Sequence, residues 1–255
     1  MKKLNKSLAP ESLSAYLRDN PNDTWDQLRN NGREVYDDVK KQLRVDQHGL
    51  CAYCEIDLVE GNGVGLDDFR VEHFYPKSPH NPPPNRNLEW NNLLGVCTGG
   101  NSKGICVSER FSSPDHSCDV PKGNHDWTNL ILNPLVDIPT FPRLFQFDDS
   151  TGEMQVDMAS CPPGLISKAS ESISRLRLNS CARLLRDRKA VIDGLRAQVQ
   201  DSLSAGEEMD ALMTDLAKAH LPNLDNQSWP AFFTCIRWFF GPAAEQLLTA
   251  IAYDG

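Results

Sequence analysis

The sequence has no basic surplus. Its 255 residues hold 26 Lys and Arg against 35 Asp and Glu, for a net charge of −9 and a pI near 5.1. A protein that grips a polyanion unaided usually carries the opposite sign, so autonomous tight binding to nucleic acid is disfavoured. Long apolar runs are missing too, and no stretch approaches the roughly 20 apolar residues of a membrane span. Met1-Lys2-Lys3-Leu4-Asn5-Lys6 starts basic but leads into Ser, Pro and Glu, where a secretory signal would have an apolar segment. A cytoplasmic chain with no membrane partner is therefore expected. In that compartment its eight cysteines are expected to be metal ligands or buried thiols, not disulfides. Neither internal repeats nor low-complexity tracts occur. With 40% hydrophobic residues, the chain can bury a core as one large domain or two small ones.

Four segments can be read along the chain. Thr24-Trp25-Asp26-Gln27 has the form of a capping box. Leu28, Val35, Tyr36, Val39 and Leu43 follow at helical spacing, predicting a helix near 25–46 that closes an N-terminal helical segment, 1–48. From 49 to 135 the texture turns to Gly, Pro, Asn, Cys and His, as in a metal-stapled module. A short hairpin and a Cys161-Pro162-Pro163-Gly164 linker are expected over 136–164. Residues 165–255 read as a helical domain, with one long amphipathic helix through Ile173, Leu184, Ile192 and Val199 and further helices near 206–219, 229–240 and 242–252. Charge is uneven: 171–200 holds seven basic residues against three acids, and 201–255 two against eight. Cys181 and Cys235 fall on apolar helix faces and are expected in the core, as is the aromatic cluster from Trp229 to Phe240. His80, His116 and His125 read as solvated loop residues.

The chemistry concentrates in the middle. Cys51-Ala52-Tyr53-Cys54 is a knuckle, two thiolates spaced to chelate one Zn²⁺. A second pair must come from Cys97, Cys106 and Cys118. Between them lie Val71-Glu72-His73-Phe74-Tyr75-Pro76-Lys77, then Asn91-Asn92-Leu93-Leu94-Gly95-Val96-Cys97, and later Cys118-Asp119-Val120-Pro121-Lys122-Gly123.

These motifs resemble the HNH endonucleases, whose ββα-metal module sets an acid–His pair on its first strand, an Asn five residues before a Cys, and a Cys-(His/Asn/Asp)-x-x-Lys-Gly sequence at its helix. Together with Cys-x-Tyr-Cys-Glu, Leu88-Glu89-Trp90-Asn91-Asn92-Leu93 and Leu132-Asn133-Pro134, they resemble the PtuB family in particular. Its members are HNH subunits of Septu anti-phage systems and of some retron defence systems. The departure is 20 residues between Cys97 and Cys118, where many HNH modules have two. The resemblance implies an α+β chain in which a zinc-stapled ββα-metal module is embedded in mostly helical sequence. Cys51, Cys54, Cys97 and Cys118 would hold the structural zinc. His73 would be the general base, Glu72 and Asp119 would hold a catalytic Mg²⁺ or Mn²⁺, and Asn92 would orient His73 by a hydrogen bond. Cys118 with Asp119 is preferred because Lys-Gly follows only there, and Cys106 with Asn101 is the alternative. Lys122 is placed near the phosphate or the helix start. The family also implies a PtuA-like ABC/SMC-type ATPase partner and a nucleic-acid substrate, DNA ahead of RNA, with a retron RNA–DNA element as a further partner.

The residues carry part of this alone. Phosphodiester hydrolysis needs an activated water and charge neutralisation at the phosphate, and imidazole titrates near working pH. Strand alternation sends Glu72 and His73 to opposite faces unless the ribbon twists or bulges, so only the resemblance puts both at one site. With 70–127 balanced at six basic and six acidic residues, phosphate grip is expected from a partner or from the 171–200 helix, through Arg183, Arg186 and Arg196. The competing function is a catalytically silent zinc-stapled adaptor, which would need the cysteines but not Glu72, His73, Asn92 or Asp119. A zinc deaminase fails on motif order, because its His-x-Glu precedes the Cys pair.

Overall fold

The Thr24 capping box forms: Gln27 N donates to Thr24 Oγ1 at 3.3 Å and Thr24 N to Gln27 Oε1 at 2.8 Å. It opens α2 (Trp25–Asn31), which follows α1 (Glu11–Asp19). The single helix expected over 25–46 is broken at Gly32, and α3 (Arg33–Asp46) starts afresh. Glycine suits this junction, since a Cβ on Gly32 would lie 3.0 Å from the Tyr16 ring of α1 and 3.2 Å from the Leu28 carbonyl. His48 and Gly49, both at positive φ, turn the chain out of α3 into the cysteine knuckle.

The computed structural model describes residues 1–58, 69–77, 85–99, 116–221 and 228–255. Within these, β1 (Phe69–His73) pairs antiparallel with β2 (Leu93–Cys97), Glu72 opposite Leu94 and His73 opposite Leu93. A four-residue helix, α4 (Asp119–Lys122), follows directly on Cys118. The hairpin expected near 141–156 is present as β3 (Phe145–Phe147) and β4 (Met154–Val156). The mixture is α+β, with two small antiparallel sheets among helices.

The expected linker at 161–164 is instead the start of α5 (Pro163–Arg175), with Pro163 at a first-turn position where its missing N–H costs nothing. The long helix expected from Ile173 onward is likewise interrupted. Arg177 takes φ 54°, the turn buries Leu176, Leu178 and Cys181, and α6 (Ala182–Ser204) begins after it. The turn's buried contacts outweigh the helical periodicity that runs through it. The remaining helices, α7 (Met209–His220), α8 (Phe233–Phe240) and α9 (Pro242–Ala250), lie where they are expected.

Three apolar clusters hold these elements. The helices α1–α3 close over Leu88, Trp90 and Leu93, so they pack on the start of β2. The four motif cysteines sit inside a second cluster with Phe145, Leu176, Leu184 and Cys235. A third gathers α7–α9 around Trp229, Phe233 and Tyr253, the aromatic segment read as core. Cys181 and Cys235 are fully buried, as expected.

Candidate active site and metal centre

Cys51, Cys54, Cys97 and Cys118 converge, with all four sulfurs within 4.8 Å of one another. Sγ–Sγ separations are 3.5 Å for Cys54–Cys97, 3.5 Å for Cys97–Cys118 and 3.9 Å for Cys51–Cys118. A tetrahedral zinc with bonds of about 2.3 Å puts its sulfurs about 3.8 Å apart, so the donor set fits that ion in both chemistry and size. Cys51 is held well below the ordinary thiol value; burial opposes this, but hydrogen bonds from Cys118, Cys54 and Cys97 outweigh it. Burial pushes Cys54 and Cys118 up. The cluster thus gathers buried thiols that a divalent cation would turn into thiolates. The alternative pair, Cys106 and Asn101, lies outside the described residues.

Beside this centre, β1, α2 and α4 enclose a cleft of about 510 Å³ lined by Glu72, His73 and Asp119, with Arg29, Arg70 and Lys77 among its cations. Glu72 and His73 both border it, although they are neighbours on a strand. His73 ends β1, where the pairing stops and the chain turns away.

His73 is almost fully buried, and its Nε2 lies 2.9 Å from the carbonyl of Asn87. A carbonyl only accepts, so Nε2 carries the proton and the neutral ring keeps its lone pair on Nδ1. Burial holds the imidazole down at about 4, so it is neutral at physiological pH. The Trp25 ring stands edge-on to it at 5.0 Å. Sequence reasoning missed both Trp25 and Asn87 at the site, because Trp25 stood only in a helix-capping motif, Asn87 in none, and both meet His73 only through folding.

The carboxylates are equally enclosed. Burial pushes Glu72 up to about 7 against the pull of Lys122, whose Nζ lies 2.7 Å from Oε1. Asp119 is pushed up to about 6 by burial, with Arg70 Nη1 opposing it from 3.1 Å at Oδ2. Asp119 Oδ1 and the Tyr53 hydroxyl are buried without a hydrogen-bond partner from another residue. Such orphaned oxygens beside two carboxylates are what a hard cation would satisfy.

Two expectations need correction. Asn92 does not reach His73. Its side chain accepts from Tyr75 N at 2.7 Å and donates to the carbonyls of Tyr75 and Arg86 at 3.1 and 2.8 Å. It therefore clasps the segment after His73 to the one that presents Asn87. Lys122 is not a surface residue: it is 1% exposed, and its ammonium is spent on Glu72 and on the His73 carbonyl, 2.9 Å away. A lysine so enclosed cannot extend to a phosphate. The basic helix also differs from a simple cationic face. Arg188 is buried, Arg183 has buried Nε and Nη2 atoms, and the exposed Arg186 and Arg196 are paired with Asp187 and Asp149.

No helix among the described residues is long and apolar enough to cross a membrane. No protein-family model matches the chain. Against characterised proteins, it is 35% identical over 213 residues to an Escherichia coli protein named "Retron Ec83 putative HNH endonuclease", a match spanning 75% of this chain and 79% of that one. The chain belongs to the HNH endonucleases, enzymes that hydrolyse phosphodiester bonds.

Proposed function

We propose that β1, β2 and α4 form a ββα-metal nuclease module, stapled by a structural zinc on Cys51, Cys54, Cys97 and Cys118, with His73 as general base. The observation that carries this reading is His73 itself: a neutral imidazole with Nε2 committed to a carbonyl and both buried carboxylates at the same cleft. An adaptor has no use for such a group, since burying it costs stability without adding a contact surface.

His73 Nδ1 takes the proton of a water that attacks phosphorus, and the Asn87 carbonyl stabilises the imidazolium that results. Glu72 and Asp119 would hold Mg²⁺ or Mn²⁺, which supplies charge neutralisation at the phosphate and the leaving oxygen when bound. Asn92 acts one step removed, by fixing the backbone around His73 and Asn87. Lys122 and Arg70 keep the carboxylates in place and limit their repulsion.

The relative is named for a retron, which favours a role beside a retron RNA–DNA element in anti-phage defence, with a PtuA-like ATPase as partner. A chain with net charge −9 gains from a partner that brings cationic surface to the substrate. The test is cleavage of plasmid DNA and of total RNA by the chain, with and without that ATPase, in parallel with His73→Ala. Cutting by wild type alone or in complex, lost in the variant, is expected. Equal cutting by both would sink the assignment.

A further inference from the structure

Which residue holds the substrate's backbone is left open by the basic helix α6, whose arginines are buried or paired. The cleft offers four cations: Arg29, Arg70 and Lys77 line it, and Lys122 lies behind its wall. Three of these already face a carboxylate. Arg70 is 3.1 Å from Asp119, Lys77 is 3.0 Å from Asp26, and Lys122 is 2.7 Å from Glu72. Arg29 has no carboxylate within ion-pair distance among the described residues. Its guanidinium stands 5.5 Å from the Tyr36 ring centroid, exposed on the cleft side of α2.

The helix that carries Arg29 is tied to the reacting group. One turn earlier, Trp25 meets the His73 ring, and Trp25 N donates to Asn87 Oδ1 at 3.4 Å. Asn85 Nδ2 donates to the carbonyls of Pro21 and Asp23 at 3.0 and 2.8 Å. The segment that fixes the His73 tautomer is thus the one that docks the N-terminus of α2, so Arg29 is held relative to His73. Trp25 and Leu28 are the buried residues of α2, and Arg29, one turn beyond Trp25 on the same side, is exposed over the cleft.

We propose that α2 is the substrate-side wall of the cleft and that Arg29 binds a backbone phosphate of the nucleic acid beside the bond that is cut. This rests on the nuclease reading above. Guanidinium is suited to it, because its planar fork matches two phosphate oxygens. It also explains how a cleft whose other cations are neutralised can still attract a polyanion.

The test compares wild type, Arg29→Glu, Arg29→Lys and Lys218→Glu, a charge reversal on the exposed side of α7, on supercoiled plasmid DNA and total RNA, with and without the ATPase, across a salt series. Arg29→Glu is expected to lower kcat/KM at least 10-fold, mainly by raising KM. It should also make the slope of log rate against log salt shallower by about one, the loss of one phosphate contact. Zinc content and thermal midpoint should not move, Arg29→Lys should recover most of the loss, and Lys218→Glu should behave as wild type. An Arg29→Glu enzyme with wild-type kcat/KM and salt slope overturns the proposal and leaves the nuclease reading standing. A fall in kcat at unchanged KM and slope also overturns it, making Arg29 a part of the wall that positions His73. Failure of wild type to cut any of these substrates overturns the nuclease reading and this inference with it.

Discussion

Replacing Cys118 with serine tests the metal centre at its most informative candidate ligand, the one for which the sequence also offers Cys106. The four sulfurs lie within 4.8 Å of one another, close to the spacing that zinc imposes. Removing one thiolate leaves three donors and a buried hydroxyl. Structural zinc contributes on the order of 10 kcal/mol to folding in small zinc domains, comparable to the whole stability of a typical domain, about 5–15 kcal/mol. At roughly 2–4 °C per kcal/mol for a chain of this size, complete loss would lower the melting midpoint by roughly 20–40 °C. The packed cysteine cluster will retain part of that through its apolar neighbours, so the low end is expected. The assay is elemental analysis of purified protein paired with thermal unfolding, with and without chelator. Wild type should hold one zinc per chain, and Cys118→Ser should hold little and melt as chelated wild type does. Zinc retained by Cys118→Ser at full stoichiometry, with an unchanged midpoint, would refute the four-cysteine assignment.

Other sites give sharper, smaller effects. His73→Ala should cut 10²–10⁴-fold more slowly while keeping its zinc and its melting midpoint; a variant that cuts at the wild-type rate shows that the imidazole takes no proton. Gln47 is buried and bridges α3 to the middle of β2, donating to Gly95 O at 2.8 Å and accepting from Gly95 N at 2.7 Å. Gln47→Leu strands the Gly95 N–H, while Gly95 O keeps the bond from Ala52 N at 3.0 Å, and should cost roughly 1–3 kcal/mol in denaturant unfolding; a loss near zero would mean that the strand finds another partner. Lys6 donates to the Leu93 carbonyl at 2.6 Å and sits 3.6 Å from the Trp90 centroid; burial pushes it down to about 7 from 10.5. Its folded value lies below its unfolded one, so the unfolded chain holds more protons between pH 7 and 10.5 and stability should rise with pH across that window, by at most about 1.4 kcal/mol per unit. Lys6→Met should flatten this rise between pH 7 and 9, with Lys2, also pushed down to about 7 by burial, keeping the remainder. The same rise in variant and wild type would contradict the Lys6 contribution.

What could be read from sequence was whatever obeys local rules. The Thr24 capping box, the knuckle, the hairpin around Asp148–Gly152 and the last three helices each depend on residues a few positions apart. Where distant contacts decided, the periodicity misled. Gly32, packed against the Tyr16 ring, ends a helix that Leu28, Val35 and Val39 continue on paper. The burial of Leu178 and Cys181 interrupts another that Ile173 and Leu184 suggest. The site shows the same division. Glu72, His73, Asp119 and the cysteines stand in motifs, so their gathering was foreseeable, but the partner of His73 was not. A backbone carbonyl has no sequence signature, and Asn92 drew that role because its side chain is visible in a motif and the Asn87 carbonyl is not. Lys122 misled for a related reason: its motif places it near the phosphate or the helix start, and nothing in the sequence shows that Glu72 and the His73 carbonyl take its ammonium.

The short helix α4 ties the four-cysteine cluster to the cleft. Four residues cannot sustain a helix alone, because nucleation costs more than one turn returns. It is held at one end by Cys118, which caps it at φ 62° and donates its N–H to Leu176 O at 2.9 Å. At the other end Lys122 reaches Glu72 and the His73 carbonyl. Asp119 lies between these anchors, directly after Cys118. The second ligand pair is bound in as tightly: Ala52 N donates to Gly95 O at 3.0 Å and Cys97 N to Cys51 Sγ at 3.3 Å, so the knuckle is sewn to the strand that pairs with β1. Loss of the metal would release α4 first and take Asp119 and Lys122 from the cleft, while the clusters around Trp25 and Phe233 stay packed. Lys122 would then leave Glu72 a buried carboxylate without its cation, a state that costs several kcal/mol and resolves by protonation or by opening the cleft. In either case the carboxylate is lost to a divalent ion, so a metal held by the four sulfurs would govern chemistry at a phosphate it never touches.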